Sequence, residues 1–170
     1  MVGATPKARD RGDGALRRSA ARLAAVQALY QVELSGLPAE DVIAQFAEGR
    51  TPDDVAEGER APEIAQADIA FMGAIVRGVI ARREGLDELI AGALTVQWPV
   101  ARLEILLRLI LEAGAFELTE RSDIPPRVVI NEYMNVAHAF FDAAEGGLVN
   151  GVLDAIARSC RAEEMARGRG

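Results

Sequence analysis

Between Leu103 and Leu118 the chain reads LEILLRLILEAGAFEL, and apolar side chains recur there at helical spacing on nearly every side. That pattern predicts a helix enclosed by other helices, so this stretch is expected to be the central rod of the fold. Before its last turn the only charges are Glu104, Arg108 and Glu112, spaced four apart, which places them on one narrow polar stripe. The stripe reads as the rod's single outlet to solvent or to a partner. No proline interrupts the rod, and its first glycine is Gly114.

Upstream, periodicity predicts a first helix over about Ala15–Leu34, ending near Ser35-Gly36. At about 100° per residue, Leu16, Leu23, Val26, Tyr30 and Leu34 share one face. Arg18 and Arg22 lie at its edge, about 40° apart, and Arg17 points away from that pair. A short helix is expected over Pro38–Glu48, with proline at its start. Residues 49–62 carry Gly, Pro and acid without periodicity and read as an exposed loop. Helical spacing resumes at Ile64, runs to Ile80, and is followed by a shorter helix over about Leu86–Leu94. Thr95 to Pro99 breaks the pattern before the rod.

After the rod, RSDIPP (Arg121 to Pro126) is a helix-start signal, with Ser122 or Asp123 as the cap. The next helix, Arg127 to about Phe141, should bury Val129, Ile130, Met134, Ala137 and Phe141. Gly146-Gly147 is expected to separate it from a last helix over Leu148–Arg161. The fold class is therefore all-α: a single compact array of about seven helices around a buried central helix, with no strands and no internal repeat. Residues 1–14 should form a mobile basic arm, residues 15–163 the helical domain, and residues 164–170 a frayed tail.

Composition supports one domain, because 170 residues of which half are hydrophobic can bury a sizeable core. Aromatics make up only 5%, so alanine and leucine fill it, which favours close-packed helices over a β-sandwich. No apolar run is long enough for a membrane span, and a secretory signal is not expected, because the start is charged before any apolar run begins. The single cysteine, Cys160, fits a reducing compartment, and the cytoplasm is the expected location.

Charge changes the picture more. The net charge of -7 argues against a nucleic-acid partner, but it is unevenly spread. Over residues 1–30, six basic residues stand against two acidic ones, a net of +4. Over residues 31–68, ten acids stand against two arginines, a net of -8. A basic end on an acidic body can steer an anion to one place.

Catalytic chemistry finds little support. His138 is the only histidine, and neither a G-x-G-x-x-G, a phosphate-binding loop nor a G-x-S-x-G occurs. A His/Cys zinc site would have to be mostly carboxylate, so no metal, cofactor or catalytic residue is expected. His138 reads as an ordinary helix residue and Cys160 as a small filler near a helix end. The N-terminal arginines are more informative. Exposed arginines are often merely solvated, but near a helix start they oppose the helix dipole, so helix stability does not explain them. A phosphate partner would. Tyr30, on the apolar stripe, suits core packing, with base stacking the alternative.

Three runs carry a resemblance: RRSAARLAAVQALYQ (Arg17 to Gln31), RSDIPPRVVINE (Arg121 to Glu132) and LVNGVLDAIA (Leu148 to Ala157). With Trp98 and the A-F-E-L end of the rod, they resemble the NusB family of bacterial transcription antitermination factors, in the family's order and spacing, over about Arg17 to Ala157. The resemblance implies an all-helical protein without catalytic activity. It would pair with the ribosomal protein NusE, bind single-stranded boxA RNA, and join RNA polymerase with other Nus factors on ribosomal RNA operons. It also implies that Arg17, Arg18, Arg22 and Arg127 form the basic RNA strip and that Tyr30 lies against a base. Ala144, Glu145 and Leu148 would fall in the partner-facing region.

Structural roles compete for the same motifs. Asn131 and Glu132 can bond backbone at a helix end, Gly151 can let two helices approach, and Asn150 can satisfy a buried carbonyl. Two departures stand out: Glu112 replaces an arginine common in the family, and Leu148 replaces an aromatic residue. Two other functions are compatible with the chain. One is a helical adaptor with weak RNA affinity, and the other is the NusB-like domain of an RNA cytosine methyltransferase, which would need a further cofactor-binding domain beyond Gly170. A homodimer of the free protein is also compatible.

Overall fold

The computed structural model describes residues 6–49, 67–94 and 103–168. Those residues form seven helices and no strand: α1 (Pro6–Ser35), α2 (Ala39–Ala47), α3 (Ile69–Ala93), α4 (Ile105–Glu120), α5 (Pro126–Phe140), α6 (Ala143–Cys160) and α7 (Ala162–Arg167). The expected acidic loop and the Thr95–Pro99 break lie outside the described residues, apart from Gly49 at the loop's edge. By their contacts the residues fall into two units, Met1–Ala74 and Ile75–Gly170.

In the first unit α1 begins earlier than its periodicity predicts, taking in residues 6–14 that composition assigned to an arm. Proline at the first helical position is compatible with this start, and once the well-packed part of the helix has formed, each added residue gains a backbone bond. Its end falls where expected: the Ser35 hydroxyl donates to the Gln31 carbonyl at 2.6 Å, and the Gly36 N–H donates to the Val32 carbonyl at 3.0 Å. The buried face follows the predicted stripe only in part: of its members Val26 is buried and Leu23 half-buried. Ala21, Ala24, Ala25, Val26, Ala28 and Leu29 are fully buried, whereas Leu16 and Leu34 are 67% and 61% exposed. Alanine lets backbones come close, and a stripe traced through large side chains overlooks it. α2 packs on α1 through Val42, Ile43 and Phe46, and the Gln31 amide donates to Gln45 at 2.9 Å.

In the second unit α4 is the enclosed rod. Every residue from Leu109 to Leu118 is buried, and α5 and α6 pack against it. Each large aliphatic side chain buried there contributes about 1.5–3 kcal/mol. Its polar stripe reaches solvent only at its start, where Glu104 is exposed and Arg108 half-buried, because Glu112 is fully buried. The carboxylate accepts from Arg108 Nε at 2.8 Å and from Arg83 Nε, on α3, at 3.3 Å, while Arg108 Nη2 lies 3.4 Å from Asp87. Burial penalises the charged form and pushes the Glu112 carboxyl up to about 7, against the pull of Arg83 and Arg108. Asp87 adds to the rise, because a protonated Glu112 can donate to it.

Three further boundaries differ from expectation. α3 runs unbroken through Gly85-Leu86, since one exposed glycine weakens a helix by about 1 kcal/mol without ending it. α5 is capped by Pro125 with no side-chain bond, because Asp123 is engaged by Arg121 at 2.9 and 3.0 Å. It buries Val129, Ile130 and Ala137 as expected, but Tyr133 and Val136 in place of the half-buried Met134 and Phe141. α6 starts at Ala143 and passes through both glycines. A Cβ on Gly146 would sit 2.7 Å from Cε1 of the His138 ring, so this glycine serves a close approach of α5 to α6.

Gly151, expected in such a role, is exposed with nothing within 4 Å of a Cβ, and Asn150 is exposed too. Beyond α6, the expected tail forms α7, anchored by Met165, which is only 1% exposed.

Candidate nucleic-acid interface

The start of α3 organises the arginines of α1. Asp68 caps that helix: its Oδ1 accepts the Phe71 N–H at 3.0 Å, and its own N–H donates to the Arg17 carbonyl at 3.0 Å. The two helices are thus fastened at Arg17, which places the Phe71 ring beneath the arginine pair. The guanidinium carbons of Arg18 and Arg22 lie 5.2 and 5.1 Å from the ring centroid. Each contact of this kind is worth about 0.5–2 kcal/mol, the higher value when water is excluded.

The pair is not equivalent. Arg17 and Arg18 are exposed, but Arg22 is only 3% exposed, which corrects the expectation that both members of the pair stand at the surface. Residues 18 and 22 are one turn apart and both lie over the same ring, but Arg18 belongs to the exposed start of α1 while Arg22 falls where the helix becomes buried. Phe71 and Asp68 were not singled out in the sequence. A signal existed, because an aspartate before an apolar helical run, three residues ahead of Phe71, is a helix-start signature.

Tyr30 is 38% exposed, so its ring is not core. It lies twelve positions beyond Arg18, about 18 Å along the α1 axis and about 120° around it. The structure therefore does not bring Tyr30 to the arginine pair; the two mark separate stations on the helix.

Arg127 belongs to the second unit, at the second position of α5, and is exposed. Its Nη2 donates to the Met165 carbonyl of α7 at 3.3 Å, which offsets the poor placement of a cation at a helix start. Ala144, Glu145 and Leu148 all fall in the first two turns of α6, and the four-residue spacing puts Ala144 and Leu148 on one face. Ala144 is exposed, Leu148 half-buried, and Glu145 half-buried with a buried Oε2 that has no hydrogen-bond partner.

The remaining chemistry is sparse. Cys160 directs its thiol at the Leu118 carbonyl, 3.9 Å away, and burial raises its pKa, which makes a poor nucleophile. His138 lies against Gly146. Among the described residues no group of three or more His, Cys, Asp or Glu could hold a metal ion, and no helix is long and apolar enough to cross a membrane.

Comparison with known proteins gives consistent results. The model of the NusB family matches residues 19–158. Transcription antitermination protein NusB of Rhodopseudomonas palustris (strain TIE-1) is 46% identical over 164 residues, covering 96% of this chain and 90% of its own. The protein of the same name from Caulobacter vibrioides is 49% identical over 144 residues, covering 85% and 94%. Among solved structures, T. maritima NusB superposes with a TM-score of 0.66 at 25% identity, covering 88% of this chain and 96% of its own. A chain from the crystal structure of antitermination factors NusB and NusE in complex with dsRNA matches with a TM-score of 0.65 at 23% identity, covering 83% and 96%, which bears on the fold alone.

Proposed function

As the chain belongs to the NusB family, we propose that it is an RNA-binding transcription antitermination factor that pairs with ribosomal protein NusE, binds boxA RNA and joins RNA polymerase with other Nus factors on ribosomal RNA operons. The observation that carries the RNA part of this reading is the edge of α1, where Asp68 fastens the backbone at Arg17 and the Phe71 ring braces the exposed Arg18 guanidinium. A braced guanidinium suits a phosphate because little side-chain freedom is lost on contact. Tyr30 offers a ring face farther along the same helix. Arg127 supplies a further cation, and Ala144, Glu145 and Leu148 supply a face for NusE. The role is one of binding, with no chemical step assigned to any residue, and the cytoplasm is where such a role is carried out.

One observation favours a second reading, a protein adaptor with weak RNA affinity. With Arg22 buried, the first helix presents fewer cations than its sequence suggests. Fluorescence anisotropy of the NusE pair with a short boxA RNA across a salt series separates the two. Affinity should fall as salt rises, with a slope of about -0.7 per phosphate contacted, and should exceed that for a scrambled RNA. Salt-independent binding, or no preference for boxA, would leave only the adaptor.

A further inference from the structure

We propose that Arg161 is a positioning residue which, with α7, holds Arg127 in the orientation that meets RNA; the inference rests on the RNA reading of Arg127 given above. Arg161 closes α6, and its side chain is only 6% exposed. Its Nη1 donates to the Ile124 carbonyl at 2.7 Å and reaches the Arg121 carbonyl at 3.5 Å, while Nη2 donates to the Ser122 carbonyl at 3.3 Å. These carbonyls belong to the turn between α4 and α5, which leads directly into Pro125-Pro126 and so has few helical partners of its own. One guanidinium therefore fixes the turn that sets where α5 begins.

The same fork also grips α7. Nε and Nη2 pair with the two carboxylate oxygens of Glu164 at 2.8 and 2.6 Å, and this bond holds the Glu164 carboxyl below its usual pKa. α7 in turn holds Arg127. The Met165 carbonyl accepts from Arg127 Nη2 at 3.3 Å, and a Cβ on Gly168 would fall 2.3 Å from Arg127 Nε, so the guanidinium lies directly on this backbone. Arg127 is thus exposed yet tethered, and the helix that carries the tether is itself clamped by Arg161 through Glu164. A lysine at 161 would keep the charge but lack the planar fork that serves three carbonyls and a carboxylate together.

The test is a double-mutant cycle on RNA affinity, using the full chain with its NusE partner and boxA RNA, with folding checked by circular dichroism. Arg127→Ala and Arg161→Lys should each weaken binding by about three- to tenfold, the range expected when one long side chain must be ordered on contact. Each should also reduce the salt slope by about 0.7, the mark of one phosphate lost. In the Arg127→Ala background, Arg161→Lys should have no further effect. A general structural weakening would not produce that silence. Should Arg161→Lys fold poorly, Glu164→Gln, at the exposed end of the clamp, carries the same cycle with a loss of about twofold. Arg127→Ala weakening binding while Arg161→Lys and Glu164→Gln leave it unchanged would overturn the positioning role alone. Equal losses in both backgrounds, or tighter binding on loosening the clamp, would overturn it as well. No effect of Arg127→Ala would remove the RNA reading of that residue and the inference with it.

Discussion

At the scale of single residues, Arg18 and Arg22 show how little spacing says about exposure. Both sit at the edge of α1 and both contact Phe71, but only Arg18 opens to solvent. Replacement of Arg18 by alanine is expected to weaken RNA binding and to change stability by less than about 1 kcal/mol, as for most surface positions. Replacement of Arg22 should instead cost about 1–3 kcal/mol of stability, since it removes a buried cation and its packing on the ring. Thermal melts of the two variants beside RNA titrations check this. Equal melting temperatures would show that Arg22 is not structural.

At the scale of elements, the telling feature is the junction of α3 and α4 at Glu112. Its carboxyl is pushed up to about 7, chiefly by burial, from an ordinary value of 4.5. Between these pH values the folded chain keeps a proton that the unfolded chain has released. Stability contributed by this group is therefore full below about 4.5 and declines as pH rises toward 7. Glutamine mimics the protonated form. Glu112→Gln should flatten the pH dependence of the melting temperature over this window, by an amount on the order of 1 kcal/mol or more. Melts of wild type and variant at pH 5 and pH 7.5 give the comparison, and parallel curves would contradict it. The junction also explains how an acid can occupy the middle of an apolar rod: Arg83 from α3 and Arg108 one turn back on α4 both reach it.

At the scale of the whole molecule, burial is uneven along the chain, and so should be its local stability. In α4 every residue from Leu109 to Leu118 is buried, whereas residues 11–18 of α1 are all exposed. Native-state hydrogen exchange is expected to show α4 amides protected on the order of 10²-fold or more beyond those of residues 11–18. Similar protection at the two places would mean that the first turns of α1 are held by something beyond their own backbone. What the sequence by itself determined is the all-α class, the apolar rod, the stop of α1 at Ser35-Gly36, and the motifs that carry family membership. Periodicity and turn chemistry are local properties, and they survive whatever the rest of the chain does. Only the tertiary structure decided the fate of particular side chains: that the buried face of α1 is made of alanines with Val26 and Leu29 while Leu16 and Leu34 stay exposed, that Gly146 lies within a helix, that Arg161 ties a distant turn to α7, and that Arg22 and Glu112 are covered. Those outcomes depend on which residue of another helix arrives opposite, be it Phe71, His138 or Arg83, and no spacing along a single helix contains that information.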